Sequence, residues 1–290
     1  MIDPKTITKK KFITFMVIAF AVSMIPMIGA AVMLKNGNTL MFMFLFRVVA
    51  VFIPLIAVLI SGSEFKKLGF KPKKFRYIPL ALTGPQILTW IGMALFFMIF
   101  PGTFNIGIDG ILSQIPDLNG VDLSVLSPSF MFIEIVIMSL TVIPVSQIIP
   151  SLGEEAGWRG VMYPYLKEHL GPLAGRILGG VLWGIWHWPL VIIGGYFYGS
   201  GHAVTGCLMI CLALTSFGIL IDHLYEKTGS ILISSLAHSA MNAASMPALL
   251  LSSTDIDQIL GPSAFSLIPI IPVIIVSVVI VIFSGKKKAR

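Results

Sequence analysis

Apolar runs, each near the roughly 20 residues that cross a bilayer as a helix, recur along the chain at 12–34, 40–60, 78–100, 130–150, 173–193, 204–221, 230–250 and 265–283. Their spacing predicts an all-α, polytopic membrane bundle of about eight transmembrane helices. The first run carries no charge and follows a group of lysines, as the core of a signal peptide would. It is long enough to span, and no small-residue cleavage site stands out, so a retained helix is expected. Pro144 and Pro150 interrupt the fourth run, and Gly179, Gly180 and Gly184 weaken the fifth. Membranes tolerate such breakers where neighbouring helices re-satisfy the backbone or approach closely.

The connections alternate in charge. Lys5, Lys9, Lys10 and Lys11 precede the first run, and Lys66, Lys67, Lys71, Lys73, Lys74 and Arg76 fill the second connection. Arg159 and Lys167 lie in the fourth, Lys227 in the sixth, and Lys286, Lys287, Lys288 and Arg290 in the tail. The intervening connections hold only Lys35 in the first, Asp109, Asp117 and Asp122 in the third, no acid or lysine in the fifth, and Asp255 and Asp257 in the seventh. The positive-inside rule therefore places both termini in the cytoplasm, and an even number of spans agrees. The third connection, 101–129, is rich in Gly, Pro, Asp and Asn and reads as an extracytoplasmic loop. No repeat, appended domain or low-complexity tract interrupts the pattern. A single integral-membrane domain over 1–290 is expected, with its polar motifs in a core at about 130–250.

Composition sharpens this reading. The chain is 56% hydrophobic and 11% charged, against about 25% charged in soluble proteins. The net charge of +7 resides in short lysine clusters beside apolar runs, so it marks topology rather than a nucleic-acid partner. Cys207 and Cys211 stand four apart in one run; helical geometry at that spacing disfavours a bridge and leaves them as packing residues.

Against this background the buried polar residues stand out, because ionisable groups in a membrane are expensive and usually face a functional interior. Glu154, Glu155 and Arg159 follow the fourth run, His187 lies in the fifth one turn after Trp183, and His238 and Asn242 lie one turn apart in the seventh. Glu155 and Arg159 are spaced to pair along a helix, which turns Glu154 about 100° away. Each group alone has a plain structural reading: a solvated loop, a packed histidine, interhelical hydrogen bonds. Three segments supplying such groups together favour a site. Arg47 and Glu134 suit a structural pair or snorkelling side chains, and His169, His202 and the Asp222–His223 pair read as structural. No Gly-x-Ser-x-Gly turn, His-Glu-x-x-His helix or phosphate-binding glycine loop occurs.

The series Glu154-Glu155-x-x-x-Arg159, Trp183-x-x-x-His187 and His238-x-x-x-Asn242 resembles the CPBP family, the CAAX-protease and bacteriocin-processing group that includes the eukaryotic type II CAAX prenyl endopeptidase. Order, spacing and placement on separate spans match over about 130–250; Trp183 stands where the family more usually has phenylalanine. The resemblance implies an eight-helix intramembrane endopeptidase acting on a membrane protein or lipidated peptide. It further implies that Glu154 and His187 activate water, that His238 and Asn242 line the oxyanion site, and that Glu155 with Arg159 holds Glu154. The residue types suit this chemistry: low dielectric raises carboxylate pKa values toward the range useful in general acid–base work, and His and Asn donate to developing oxyanions.

A metal is the open point. Glu154, His187 and His238 also suit a two-His-one-carboxylate zinc site with an open water position, whereas the lack of a compact ligand motif favours metal-free catalysis. Two other readings compete. One is a non-enzymatic immunity or scaffold protein that binds a peptide or membrane partner. The other is a proton-coupled transporter, which lacks support because no inverted repeat is visible. The lipid bilayer is the expected setting, the plasma membrane in a prokaryotic host.

Overall fold

The computed structural model describes residues 1–71, 74–104, 127–252 and 256–286. Lys73, Asp109, Asp117, Asp122, Asp255, Lys287, Lys288 and Arg290, which belong to the charge pattern above, lie outside the described residues. Within them the fold is helical, and the one β-type contact is an isolated bridge between Phe104 and Ser252.

Five helices among the described residues are long and apolar enough to cross a membrane: α1 (Lys9–Lys35), α2 (Thr39–Ile60), α3 (Phe75–Ile99), α8 (Pro172–Gly194) and α9 (Ser200–Thr228). They match five of the eight expected runs. The other three are shorter or broken. The fourth divides into α4 (Pro128–Leu140), α5 (Val142–Ser146) and α6 (Ile148–Gly157). A π-helical turn, Trp158–Met162, carries α6 on into α7 (Tyr163–Leu170). The seventh is α10 (Ile231–Ala243), followed by the short α11 (Ala248–Leu251), and the last is α12 (Ile271–Lys286).

Proline explains these interruptions. A proline ring clashes with the carbonyl four residues earlier and lacks the N–H that would bind it. Pro144 accordingly ends α4 at Leu140, Pro150 ends α5 at Ser146, and Pro247 ends α10 at Ala243. The break between α5 and α6 falls at Gln147, with φ −90° and ψ 0°, and it recurs at the site below.

Packing brings the polar helices together. The first part of α8 lies against α9, α10 packs on both α3 and α6, and α6 also rests on the end of α2. Glycine permits the closest of these approaches. A Cβ on Gly180 would collide with the backbone of Thr215, and one on Gly184 would sit 2.6 Å from Cys211 Cα. These two positions form a small-xxx-small seam, which lets helices pack backbone to backbone. Cys211 thus serves as a packing residue of that seam, and both cysteines are free. Large apolar side chains such as Ile25, Leu40, Val204 and Leu208 are exposed on the outside of the bundle, as surfaces turned to lipid would be.

Candidate active site

Glu154 and Glu155 lie on the last turns of α6, just before the π-helical turn that carries Arg159. Such turns insert an extra residue into a helix and often accompany functional sites. All three side chains are buried, Glu155 and Arg159 fully. Their spacing forms the expected pair: Arg159 Nη1 donates to Glu155 Oε1 at 2.8 Å.

Glu155 also has a partner from another helix. His238 Nδ1, from α10, also donates to Glu155 Oε1, at 2.9 Å. Glu155 is thus bonded to Arg159 and His238, and neither Glu155 nor Arg159 is bonded to Glu154. Arg159 is held in turn by the Gly218 carbonyl at 3.2 Å and by the rings of Tyr163 and Trp183, each 4.6 Å from its guanidinium carbon.

Two indoles hold Glu154 instead. Trp158 Nε1 donates to its Oε2 at 3.2 Å and Trp183 Nε1 to the same oxygen at 2.8 Å. Oε1 has no hydrogen bond among the described residues. Phenylalanine at 183 would supply the ring but not the N–H, so the departure from the usual family residue gives Glu154 a donor. Trp158 occupies an unspecified position within the first motif, and its i+4 relation to Glu154 is readable from the sequence.

His187 occupies the interruption that Pro189 makes in α8. Its backbone N–H bonds Gly184 O at 3.0 Å rather than the Trp183 carbonyl. The imidazole takes that carbonyl over, with Nδ1 and Trp183 O 3.0 Å apart. A carbonyl only accepts, so Nδ1 carries the proton and Nε2 of the neutral ring is a free base. Trp186 and Phe46 flank the ring edge-on.

Trp183 is the hub of the arrangement. Its indole N–H holds Glu154, its carbonyl holds His187, one face carries Arg159, and the His238 ring meets it at 5.1 Å in a T-shaped contact. Asn242, one turn beyond His238, is half-buried and has no hydrogen bond among the described residues. Ser239 beside His238 bonds Ser151 of α6 at 3.0 Å, locking the two motif helices together. Neither serine stands out in the sequence, where each is one small residue among many.

Of the residues set apart as structural, His169 stacks on Tyr165 and bonds its carbonyl. Asp222 joins an ion cluster with Lys167, Arg176 and Glu226. The Arg47–Glu134 pair does not form: Arg47 bonds Gln147 in the α5–α6 break at 3.0 Å, and Glu134 is exposed. The candidate zinc ligands Glu154, His187 and His238 are not gathered as a metal-binding group, and no group of three or more His, Cys, Asp or Glu among the described residues is.

Residues 136–244 match the family model described as Type II CAAX prenyl endopeptidase Rce1-like. The matched segment contains all three motifs and every residue of the cluster around Trp183, and it agrees with the resemblance drawn from the motifs. No curated protein matches the chain.

Proposed function

From the Rce1-like character of residues 136–244, we propose that this protein is an intramembrane endopeptidase that hydrolyses a peptide bond in a prenylated or otherwise lipidated protein or peptide. The supporting observation is the Trp183 hub, which fixes one side of each reactive group and leaves the other side open. Glu154 Oε1 and His187 Nε2 are the two free bases, and together they take the proton from an attacking water. Trp158 and Trp183 hold the carboxylate at its other oxygen, so its orientation is set before substrate binds.

His238 and Asn242 meet the developing oxyanion. Glu155 accepts from His238 Nδ1, and its carboxylate suits an imidazolium there, which carries a second N–H at Nε2 and donates it to that oxygen. Asn242 supplies a second donor from the next turn of α10. In this scheme Glu155 and Arg159 act through His238, whereas Trp158 and Trp183 act through Glu154. The bundle forms one membrane domain of eight crossings, counting the broken and short helices, and both termini face the cytoplasm, where prenylated proteins are made available.

The test is cleavage of a fluorescent peptide containing S-farnesyl cysteine followed by three aliphatic residues, using purified protein in zwitterionic nanodiscs. The expected result is cleavage that Glu154→Ala abolishes. A Glu154→Ala protein that still cleaves would remove the catalytic assignment, and binding without cleavage would establish the scaffold reading instead. Catalysis by Glu154 and His187 requires no metal ion, so rigorous metal depletion should leave the rate unchanged. Reversible loss of activity on depletion would instead assign Glu154, His187 and His238 to zinc.

A further inference from the structure

Arg47 is the cation the mechanism does not use. It lies within α2, on the π-helical turn Leu45–Val49, and is half-buried. An arginine inside a membrane span normally pairs with an acid, reaches a headgroup or lines a polar cavity. This one has no acidic partner among the described residues. Its hydrogen bond there runs from Nη1 to the neutral amide oxygen of Gln147, and its Nε is buried with no partner.

Its position is informative. Phe46, its neighbour on α2, touches the His187 ring edge-on at 6.1 Å, and the Arg47 guanidinium stands over that Phe46 ring at 5.6 Å. Gln147 lies in the proline-made break that leads directly into the Glu154 helix. An uncompensated cation thus stands beside the reactive groups, and its fork of N–H donors is suited to bidentate binding of a carboxylate.

We infer that Arg47, oriented by Gln147, binds a carboxylate of the substrate near the scissile bond, and that this is the free C-terminal carboxylate of the peptide. The inference rests on the peptidase reading and makes the site selective for bonds close to a chain end. A terminal carboxylate is the anion every unmodified peptide carries, whatever its side chains. It also brings its own counter-charge into the membrane, which relieves the unpaired guanidinium as it binds.

The experiment compares two fluorescent S-farnesyl-cysteine peptides that differ only in ending as a free acid or as a primary amide. Binding is measured to full-length Glu154→Gln protein, which blocks turnover, in nanodiscs of uncharged lipid so that no headgroup phosphate competes. The acid should bind about 10- to 100-fold more tightly than the amide, the range expected for a hydrogen-bonded charge. Arg47→Gln should weaken the acid to the level of the amide while leaving the amide unchanged, and Arg47→Lys should restore part of the difference. Equal binding of acid and amide, equal weakening of both by Arg47→Gln, or no saturable binding of either would overturn the inference. Added phosphatidylglycerol abolishing the acid preference would assign Arg47 to a lipid phosphate and also overturn it. Loss of this discrimination with Glu154-dependent cleavage intact removes this inference alone, whereas cleavage insensitive to Glu154→Ala removes the catalytic reading whatever Arg47 does.

Discussion

Lys167, Arg176, Asp222 and Glu226 make one ion cluster in this chain, exposed at Glu226, and Glu155, Arg159 and His238 make another, buried beside Glu154. In the first, every charge meets its opposite. Lys167 bonds both Asp222 oxygens and Glu226, while Arg176 bonds Asp222 through Nε and Glu226 through Nη2. Two cations and two anions close on themselves and tie α7, α8 and α9 together. In the second, charges are left over. Glu155 Oε2 and Arg159 Nε are buried without partners, and Glu154 Oε1 and His187 Nε2 remain open beside them. Burial of unpaired polar atoms is costly, and this cluster carries two of them. The two clusters differ in how fully their atoms are satisfied and also in depth, because Glu226 is exposed whereas Glu155, Arg159 and His238 are all buried.

Removing the open groups challenges this distinction most severely. Glu154→Ala and His187→Ala should each lower cleavage by roughly 10²–10⁴-fold, with thermal unfolding midpoints close to that of the unmodified protein. A large drop in stability would show that these residues hold the fold as the closed cluster does. Asp222→Ala should behave in the opposite way. It leaves Lys167 and Arg176 to share Glu226 alone, so stability should fall by about 3 kcal/mol, while the remaining folded protein cleaves at its former rate per molecule. Asp222→Ala protein that is stable but inactive would place the closed cluster in the catalytic machinery.

Smaller effects define the boundary inside the site. Asn242→Ala, which removes one oxyanion donor, should retain residual cleavage about 10²–10³-fold below the starting rate, seen in kcat rather than KM. Trp183→Phe preserves the ring against Arg159 and His238 but deletes the N–H to Glu154. One hydrogen bond to a charged group predicts a loss of about 10- to 100-fold, with the oxyanion side untouched. If Trp183→Phe has no effect on rate, Trp158 alone positions Glu154 and the hub loses its role.

The motif residues are legible in the sequence because charges and histidines are rare in apolar runs, and the Glu155–Arg159 pair because side chains four apart on a helix are neighbours. The task of that pair is not legible there. Which acid receives His238 depends on how α10 rotates against α6, and the Ser151–Ser239 bond between those helices joins residues 88 positions apart. Of the two readings for Arg47 and Glu134, a pair or snorkelling side chains, the pair does not form, for a related reason. Glu134 offers an opposite charge, but the prolines at 144 and 150 break the segment between them, leaving Glu134 exposed and turning Gln147 toward Arg47.

The helical class, the membrane setting, the interruptions at Pro144 and Pro150, and the candidate site residues all follow from the amino-acid order alone. Their causes are local: apolar run length, the steric reach of proline over four residues, and the cost of charge in an apolar medium. The pairings belong to the folded molecule. Trp183 reaches Glu154 across 29 residues, His238 reaches Glu155 across 83, and Arg47 reaches Gln147 across 100. Such contacts depend on which face each helix turns inward, and that is set by the packing of all the helices at once, including the backbone-to-backbone seam at Gly180 and Gly184.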